Sequence, residues 1–211
     1  MFSKFLFDRH SPNTREAVRA AFPAELEADV DWVLNQLGVA RHEPQDEVML
    51  RLADGGEAAI PYRVYFPEKS PAGSHPHTTA RKAILAAILT RHHSGFQRQT
   101  WARELAAFPL PWATPFMALL LDDYVCQIPA MLEKSLDEEW IPLLKQFGEG
   151  NPEWRATFNS RTVSYWAEFY RQPFLWFDDY PGYRAAVRFG LWNGKTCHRL
   201  LTRTRRMKNK R

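Results

Sequence analysis

Residues 79–132 read TARKAILAAILTRHHSGFQRQTWARELAAFPLPWATPFMALLLDDYVCQIPAML, in which two apolar-periodic segments flank a polar turn and a proline-rich break. Ile84, Leu85, Ile88 and Leu89 recur at helical spacing in the first segment. The same spacing recurs in a second set, which comprises Leu119, Leu120, Tyr124, Ile128, Met131 and Leu132. Because each set lines one broad face of a helix, the pattern predicts two central helices around which the fold is organised.

Further helical patterns surround this centre. The polar turn at residues 93–95 is followed by a predicted helix over 96–107, which forms a helical hairpin with the helix before it. The second apolar set predicts one long helix over 113–134, and a turn at 178–182 precedes a final helix.

Two short stretches alternate between apolar and polar residues, which is typical of β-strands. These stretches are residues 48–52 and 60–66, and the turn Asp54-Gly55-Gly56 lies between them. Pro61 has no N–H to donate, so its strand is predicted to lie at an edge. The predicted fold class is therefore mainly α, an irregular helical bundle with one small β-hairpin.

The segment 67–78 contains three prolines with Gly, Ser and His, a composition that favours a linker or loop. We therefore predict N-terminal helices plus the β-hairpin over residues 1–66, the linker or loop over 67–78, and a helical domain that ends in a basic helix over 79–211.

Two cysteines, Cys126 and Cys197, provide neither a disulfide framework nor a four-cysteine zinc site. Cys126 falls on the apolar face of the long helix and is predicted to be a small core residue. No uncharged apolar run reaches the roughly 18 residues of a membrane helix. We therefore expect a cytoplasmic protein without a membrane partner.

The stretch Gly95 to Leu105 resembles the second helix of a HEAT-type repeat, in which Arg follows the turn, a small residue comes next and Leu closes the apolar face. Arg98, Ala102 and Leu105 match this pattern, whereas Gln97 and Trp101 depart from it. The openings of the stretches 152–155 and 181–187 are similar, although their spacing is not that of one repeat. The resemblance implies a short HEAT-like helical stack, or α-solenoid, with a concave interaction surface.

Residues 180–211 contain ten Lys and Arg and no Asp or Glu, so the rest of the chain holds 18 basic against 24 acidic residues. On one continuous helix, seven cations would share a sector about 100° wide. They are Arg184, Arg188, Lys195, Arg199, Arg203, Arg206 and Lys210. Trp192 lies in the same sector, where its ring could stack on a base.

A cationic stripe of this kind suits a phosphate backbone, because each neutralised phosphate releases counterions without any base being read. An acidic protein surface is the alternative partner, and a basic terminus that only aids solubility or complements a helix dipole is a third interpretation.

Paired carboxylates occur at Asp122-Asp123. Neighbouring residues on a helix project about 100° apart, so the pair cannot act alone as an acid–base dyad. A base-excising enzyme on a HEAT-like scaffold would need one of them beside an aromatic residue such as Trp101 or Trp112.

The histidines show no metal-ligand spacing. His75 and His77 flank a proline, and His92 and His93 are adjacent, so their rings point in different directions. We predict no metal and no cofactor, and expect His92 or His93 to cap the last carbonyls of its helix.

These observations predict a non-catalytic helical interaction subunit whose basic C-terminal helix contacts nucleic acid or an acidic protein partner. The alternative is the nucleic-acid-processing enzyme described above. The chain could also act as a subunit of a larger assembly. In that case some of four indoles should be exposed: Trp112, Trp140, Trp154 and Trp176.

Overall fold

The computed structural model describes residues 14–44, 46–67 and 78–194, and over these ranges the chain is mainly helical with one small antiparallel sheet. The helices are α1 (Thr14–Arg19), α2 (Glu27–Leu37), α3 (Thr79–Leu89), α4 (Gly95–Ala106), α5 (Thr114–Leu121), α6 (Gln127–Ser135), α7 (Trp140–Gly150), α8 (Pro152–Tyr165) and α9 (Pro181–Arg188). The strands are β1 (Glu47–Arg51) and β2 (Glu57–Pro61). The predicted fold class, mainly α with a β-hairpin, is confirmed.

Single helical turns complete the backbone. Three are of the 3-10 type, at Ala24–Leu26, Pro111–Ala113 and Phe177–Asp179, and a π-helical turn at Trp166–Tyr170 extends α8. Within the described ranges, none of the helices has both the length and the apolar character needed to cross a bilayer.

The helices α3 and α5 form the centre of the core. Every residue of α5 is buried, and so is every residue of α3 from Ala83 to Leu89. The hydroxyl of Thr78 accepts a hydrogen bond from Arg81 N at 3.2 Å and so caps the start of α3. One hydrophobic core extends from Val18 to Leu191. The described residues on both sides of the predicted linker therefore pack together, while 68–77 lie outside the described residues.

The hairpin has its turn where the sequence predicts it, but its second strand is shorter. Asp54 accepts a hydrogen bond from Gly56 N at 2.9 Å, and Gly55 adopts a left-handed φ of 87°. The prediction of a strand over 60–66 is wrong beyond Pro61. There the chain leaves the sheet, and Val64 bonds instead to the α3–α4 turn through Arg91 O and His93 N.

The prediction of one long helix over 113–134 is also wrong. The helix α5 ends at Leu121 and α6 begins at Gln127. Pro129 explains the break, because in a continuous helix its nitrogen would have to donate to the carbonyl of Val125. In the first turn of α6 no such donor is needed.

One amide side chain, that of Asn151 between α7 and α8, bonds the first strand of the hairpin to the helices. Its Oδ1 accepts from Arg51 N at 2.8 Å, and its Nδ2 donates to Arg51 O at 3.0 Å and to Phe147 O at 2.9 Å. Asn151 thus pairs with the outer edge of β1 as a residue of a third strand would.

We predict that Asn151→Ala lowers the free energy of unfolding by about 1–3 kcal/mol, because two backbone groups of Arg51 lose their partners. Urea denaturation would measure this change. The matched control is Asn35→Ala, which removes one exposed bond from Arg15 and should change stability by about 0.5 kcal/mol or less. Equal losses in the two variants would contradict the assigned role of Asn151.

Candidate functional site

The first two residues of the predicted basic stripe contact the protein itself. Arg184 donates through Nε and Nη2 to the carboxylate of Glu133, at 3.1 and 2.9 Å. Arg188 donates to the backbone carbonyls of Glu133 and Leu136 at the end of α6. Cations complement the carbonyls exposed at a helix C-terminus. Arg184 and Arg188 therefore hold α9 against α6.

The basic helix ends much earlier than predicted. The helix α9 stops at Arg188, and Gly190 adopts a left-handed φ of 68°, which a continuing right-handed helix does not allow. The prediction of one helix carrying the whole stripe is therefore wrong. Trp192, predicted on the same sector, instead packs its half-buried ring against Phe177 and Tyr183, at centroid distances of 5.6 and 5.1 Å. Five of the predicted cations, Lys195, Arg199, Arg203, Arg206 and Lys210, lie outside the described residues.

Residues 190–193, which come after α9 and before Lys195, are held against α8. Arg155 donates to Leu191 O at 2.8 Å and to Gly190 O at 3.0 Å, and Asn159 Nδ2 donates to Leu191 O at 3.0 Å. Asn193 N donates in turn to Asn159 Oδ1 at 3.3 Å. The end of the described chain is therefore held on the folded body.

The carboxylates of Asp122 and Asp123 have different environments. Buried guanidinium groups donate hydrogen bonds to both oxygens of Asp123. Arg98 donates from Nε to Oδ2 at 2.7 Å and from Nη2 to Oδ1 at 2.9 Å, and Arg63 approaches Oδ2 at 3.4 Å. Arg98 Nη1 also donates to His92 O and His93 O, at 3.1 and 2.9 Å. Asp123 thus ties the α5–α6 break to α4 and to the α3–α4 turn, and is not an exposed acid or base.

Asp122 is also buried, but its guanidinium partner, Arg161, is partly exposed to water. Its Oδ2 accepts from Arg161 Nη1 at 2.6 Å, and its Oδ1 has no hydrogen-bond partner within the part of the chain that the structure describes. Burial raises the pKa of Asp122 to about 6, although Arg161 works in the opposite direction. The indoles predicted beside the carboxylates have other contacts: Trp101 donates to Gln97, and Trp112 packs on Phe22.

The buried guanidinium groups of Arg63 and Arg98 pair with the carboxylate of Asp123, and the buried guanidinium of Arg91 lies close enough to interact electrostatically with all three. We call these four residues the arginine cluster. Arg91 donates to Pro61 O and Tyr62 O, while its Nη1 has no partner among the described residues. Burial, and then the charge of Arg63, lower the pKa of Arg91 to about 9. The cluster therefore carries a surplus of two positive charges behind the surface.

Aromatic rings extend from the backbone that this cluster holds. Because Val64 pairs with His92, the neighbouring residues Tyr65 and His93 come side by side, with ring centroids 5.1 Å apart and planes inclined by 22°. The ring of His42 meets Tyr65 edge-on at 5.5 Å.

Two more rings border the same turn. Phe96, at the start of α4, is 85% exposed, and Tyr124, 48% exposed, lies 5.7 Å from the guanidinium of Arg98. We define the ring surface as His42, Tyr65, His93, Phe96 and Tyr124. These residues come from four separate segments of the chain, so no local sequence pattern connects them.

The prediction that His92 caps its own helix is wrong. Its Nδ1 accepts from Ser94 N at 3.1 Å, so Nε2 carries the proton and donates to Phe66 O at 2.8 Å. Among the described residues, no group of three or more His, Cys, Asp or Glu side chains is arranged to hold a metal ion. His75 and His77 lie outside the described residues.

The cysteine and indole predictions have mixed outcomes. Cys126 is buried, as predicted, but it precedes α6 within the break rather than lying on a continuous helix. Trp140 and Trp154 are buried and Trp112 and Trp176 are half-buried, so none of these four indoles is exposed.

Comparisons with protein-family models, with curated proteins and with solved structures found no match to this chain. The similarity of residues 95–105 to a HEAT-type helix therefore stays a prediction, although α4 does span that stretch.

We predict that Asp123→Asn destabilises the fold by about 3–5 kcal/mol, because it leaves the buried guanidinium of Arg98 without a counter-charge. Chemical denaturation at neutral pH would measure the loss. Asp122→Asn is the matched control and should cost far less, since Arg161 is 41% exposed and keeps contact with water. Equal losses would contradict a special role for the Arg98–Asp123 pair.

We also predict a pH dependence that Asp122 alone produces. Its pKa of about 6 lies above its ordinary value of 3.8, so between these values the folded chain binds more protons than the unfolded chain. Stability conferred by Asp122 is then fully present below about pH 4 and lost as the pH rises through 6, by up to about 1.4 kcal/mol per pH unit.

Unfolding free energies of the wild type and of Asp122→Asn, compared at several pH values from 4 to 7, would isolate this contribution. The variant should gain relative to the wild type as the pH rises. A constant difference across this range would show that Asp122 does not titrate there.

Proposed function

We propose that this protein is a non-catalytic interaction subunit that contacts nucleic acid through its basic C-terminal segment, residues 195–211. The observation that carries the proposal is the composition of this segment: eight Lys and Arg with no Asp or Glu. Each cation placed near a phosphate releases a condensed counterion, which is a sequence-independent source of affinity.

The distribution of charge in the rest of the chain supports the same segment as the contact. Removing the eight cations from the 28 Lys and Arg leaves 20 against 24 Asp and Glu, a net charge of −4 for residues 1–194. A polyanion is therefore attracted to the C-terminal segment and not to the body as a whole.

The contacts of Arg184 and Arg188 narrow the predicted set of binding residues. Both side chains are already held by acceptors on α6, and withdrawing them would cost those bonds. The proposed contacts are therefore Lys195, Arg199, Arg203, Arg206 and Lys210, with the other three cations of the segment beside them.

Two other interpretations have less support. The enzyme alternative needs an available carboxylate, whereas Asp123 is fully paired and Asp122 is buried. An acidic protein partner would satisfy the same cations, and the pulldown described below distinguishes it from a nucleic acid.

A cytoplasmic location belongs to the proposal and rests on the use of cysteine in the sequence. A HEAT-like concave surface is compatible with the proposal but not needed for it.

We predict that changing Arg199, Arg203 and Arg206 together to Glu weakens binding to duplex DNA and makes the slope of log K against log salt less negative by about 3, since each phosphate contact contributes roughly −0.9. Fluorescence anisotropy of a labelled duplex at several salt concentrations would measure both effects. A control variant with Arg51, Arg103 and Lys134 changed to Glu carries the same net charge, and should retain most of the affinity and the slope.

The outcome that contradicts the proposal is equal weakening in the two variants, which would indicate a response to net charge alone. A pulldown from native lysate with and without nuclease separates the partners. If nuclease treatment leaves the recovered material unchanged and it consists of acidic protein, the nucleic-acid proposal is wrong.

A further inference from the structure

We propose that the ring surface, formed by His42, Tyr65, His93, Phe96 and Tyr124, binds the unpaired bases of a single-stranded nucleic acid. This inference rests on the proposed function for the class of ligand. It adds a second contact, far along the chain from residues 195–211, and a preference for single strands over duplexes.

The geometry of the rings is the first support. Tyr65 and His93 already lie nearly parallel at 5.1 Å, and His93 stays exposed although its ring also packs against His92 at 4.3 Å, so the three rings form a ready-made stack that reaches the surface. Phe96 is 85% exposed and lies two residues after Ser94, the N-cap residue of α4. Bases stack on such side chains without regard to sequence, because every base has a π face.

The second support is that these rings are held in place by the backbone beneath them. Val64 N donates to Arg91 O at 2.9 Å and His93 N donates to Val64 O at 3.0 Å, while Arg41 N donates to Tyr65 O at 2.9 Å. Arg98 fixes the carbonyls of His92 and His93 from inside. The backbone that carries Tyr65 and His93 therefore does not have to be ordered when a base binds.

Charge favours a nucleic acid over an apolar protein segment as the occupant. The arginine cluster behind the rings carries three guanidinium groups and one carboxylate, and its positive surplus is buried, where salt screens it weakly. On the surface, exposed Arg41 and Glu43 offset each other. The phosphates that accompany a stacked base would thus experience a net positive potential.

A duplex would not use this surface in the same way, since its bases are stacked on one another and paired. A single strand can turn its bases outward onto aromatic side chains. The surface is therefore expected to discriminate between the two forms, whereas the cationic segment 195–211 is expected to bind both.

The test uses the full chain and two labelled probes, an oligothymidylate of about 20 nucleotides and a duplex of similar length, which exceed the roughly 4–16 nucleotides that one binding module covers. The variant is His93→Ala with Phe96→Ala, two exposed rings whose loss should leave the fold intact by circular dichroism. The matched control is Phe169→Ala with Leu175→Ala, which removes two exposed apolar side chains elsewhere (66% and 70% exposed).

The expected result is a loss of roughly tenfold or more in affinity for the single strand, with the duplex affinity and the control variant unchanged. Single-strand affinity within about twofold of the wild type in the ring variant would overturn this inference, and so would an equal loss in the control variant.

The variant with Arg199, Arg203 and Arg206 changed to Glu distinguishes the two proposals. If it loses binding to both probes while the ring variant keeps binding to both, only the ring-surface inference fails. If it keeps binding to both probes while the ring variant loses the single strand, the ring surface stands and the proposed role of the C-terminal segment fails. If the wild type binds neither probe, both proposals are overturned.

Discussion

The buried ion pair between Arg98 and Asp123 is the constraint on which the arrangement of the helices depends. Its two parallel hydrogen bonds join α4 to the α5–α6 break, and the remaining nitrogen of Arg98 holds the α3–α4 turn through two carbonyls. A buried charge deprived of its partner costs several kcal/mol, so these segments have to meet for the chain to fold. The position of the aromatic rings above the pair follows from the same constraint, because the backbone that carries His93 is bonded to the same guanidinium.

Local patterns in the sequence predicted α3, α4 and the hairpin turn, since helical periodicity and an Asp-Gly-Gly turn each depend on residues close together in the chain. The same periodicity misled the prediction between Leu119 and Leu132. Apolar side chains keep their spacing across both α5 and α6, and side-chain spacing does not report whether the backbone hydrogen bonds are continuous. Pro129 was the available signal, because a proline inside a helix removes a donor that the preceding turn requires.

The arginine cluster could not be found in the same way. Arg63 and Arg98 lie 60 and 25 residues before Asp123 in the chain, so no motif of fixed spacing connects them. A partial signal does exist: Arg91 and Asp123 each come two residues after a long apolar run, which places them at the buried ends of α3 and α5. The prediction of one continuous basic helix failed for a different reason. Gly190 and Gly194 weaken a helix, which indicated a bend there, but both glycines adopt left-handed φ values and α9 ends at Arg188.

The anchoring of Leu191 to α8 determines where the described chain leaves the folded body. Arg155 and Asn159 hold the carbonyl of Leu191, and Asn193 N donates back to Asn159, so the end of the described chain lies beside α8. Residues 1–194 carry a net charge of −4, whereas residues 195–211 carry eight Lys and Arg and no Asp or Glu. The change in the sign of the charge along the chain therefore falls beside α8. A ligand attracted to the cationic segment, as proposed, would be tethered to the body at this helix and not at the core helices α3 and α5.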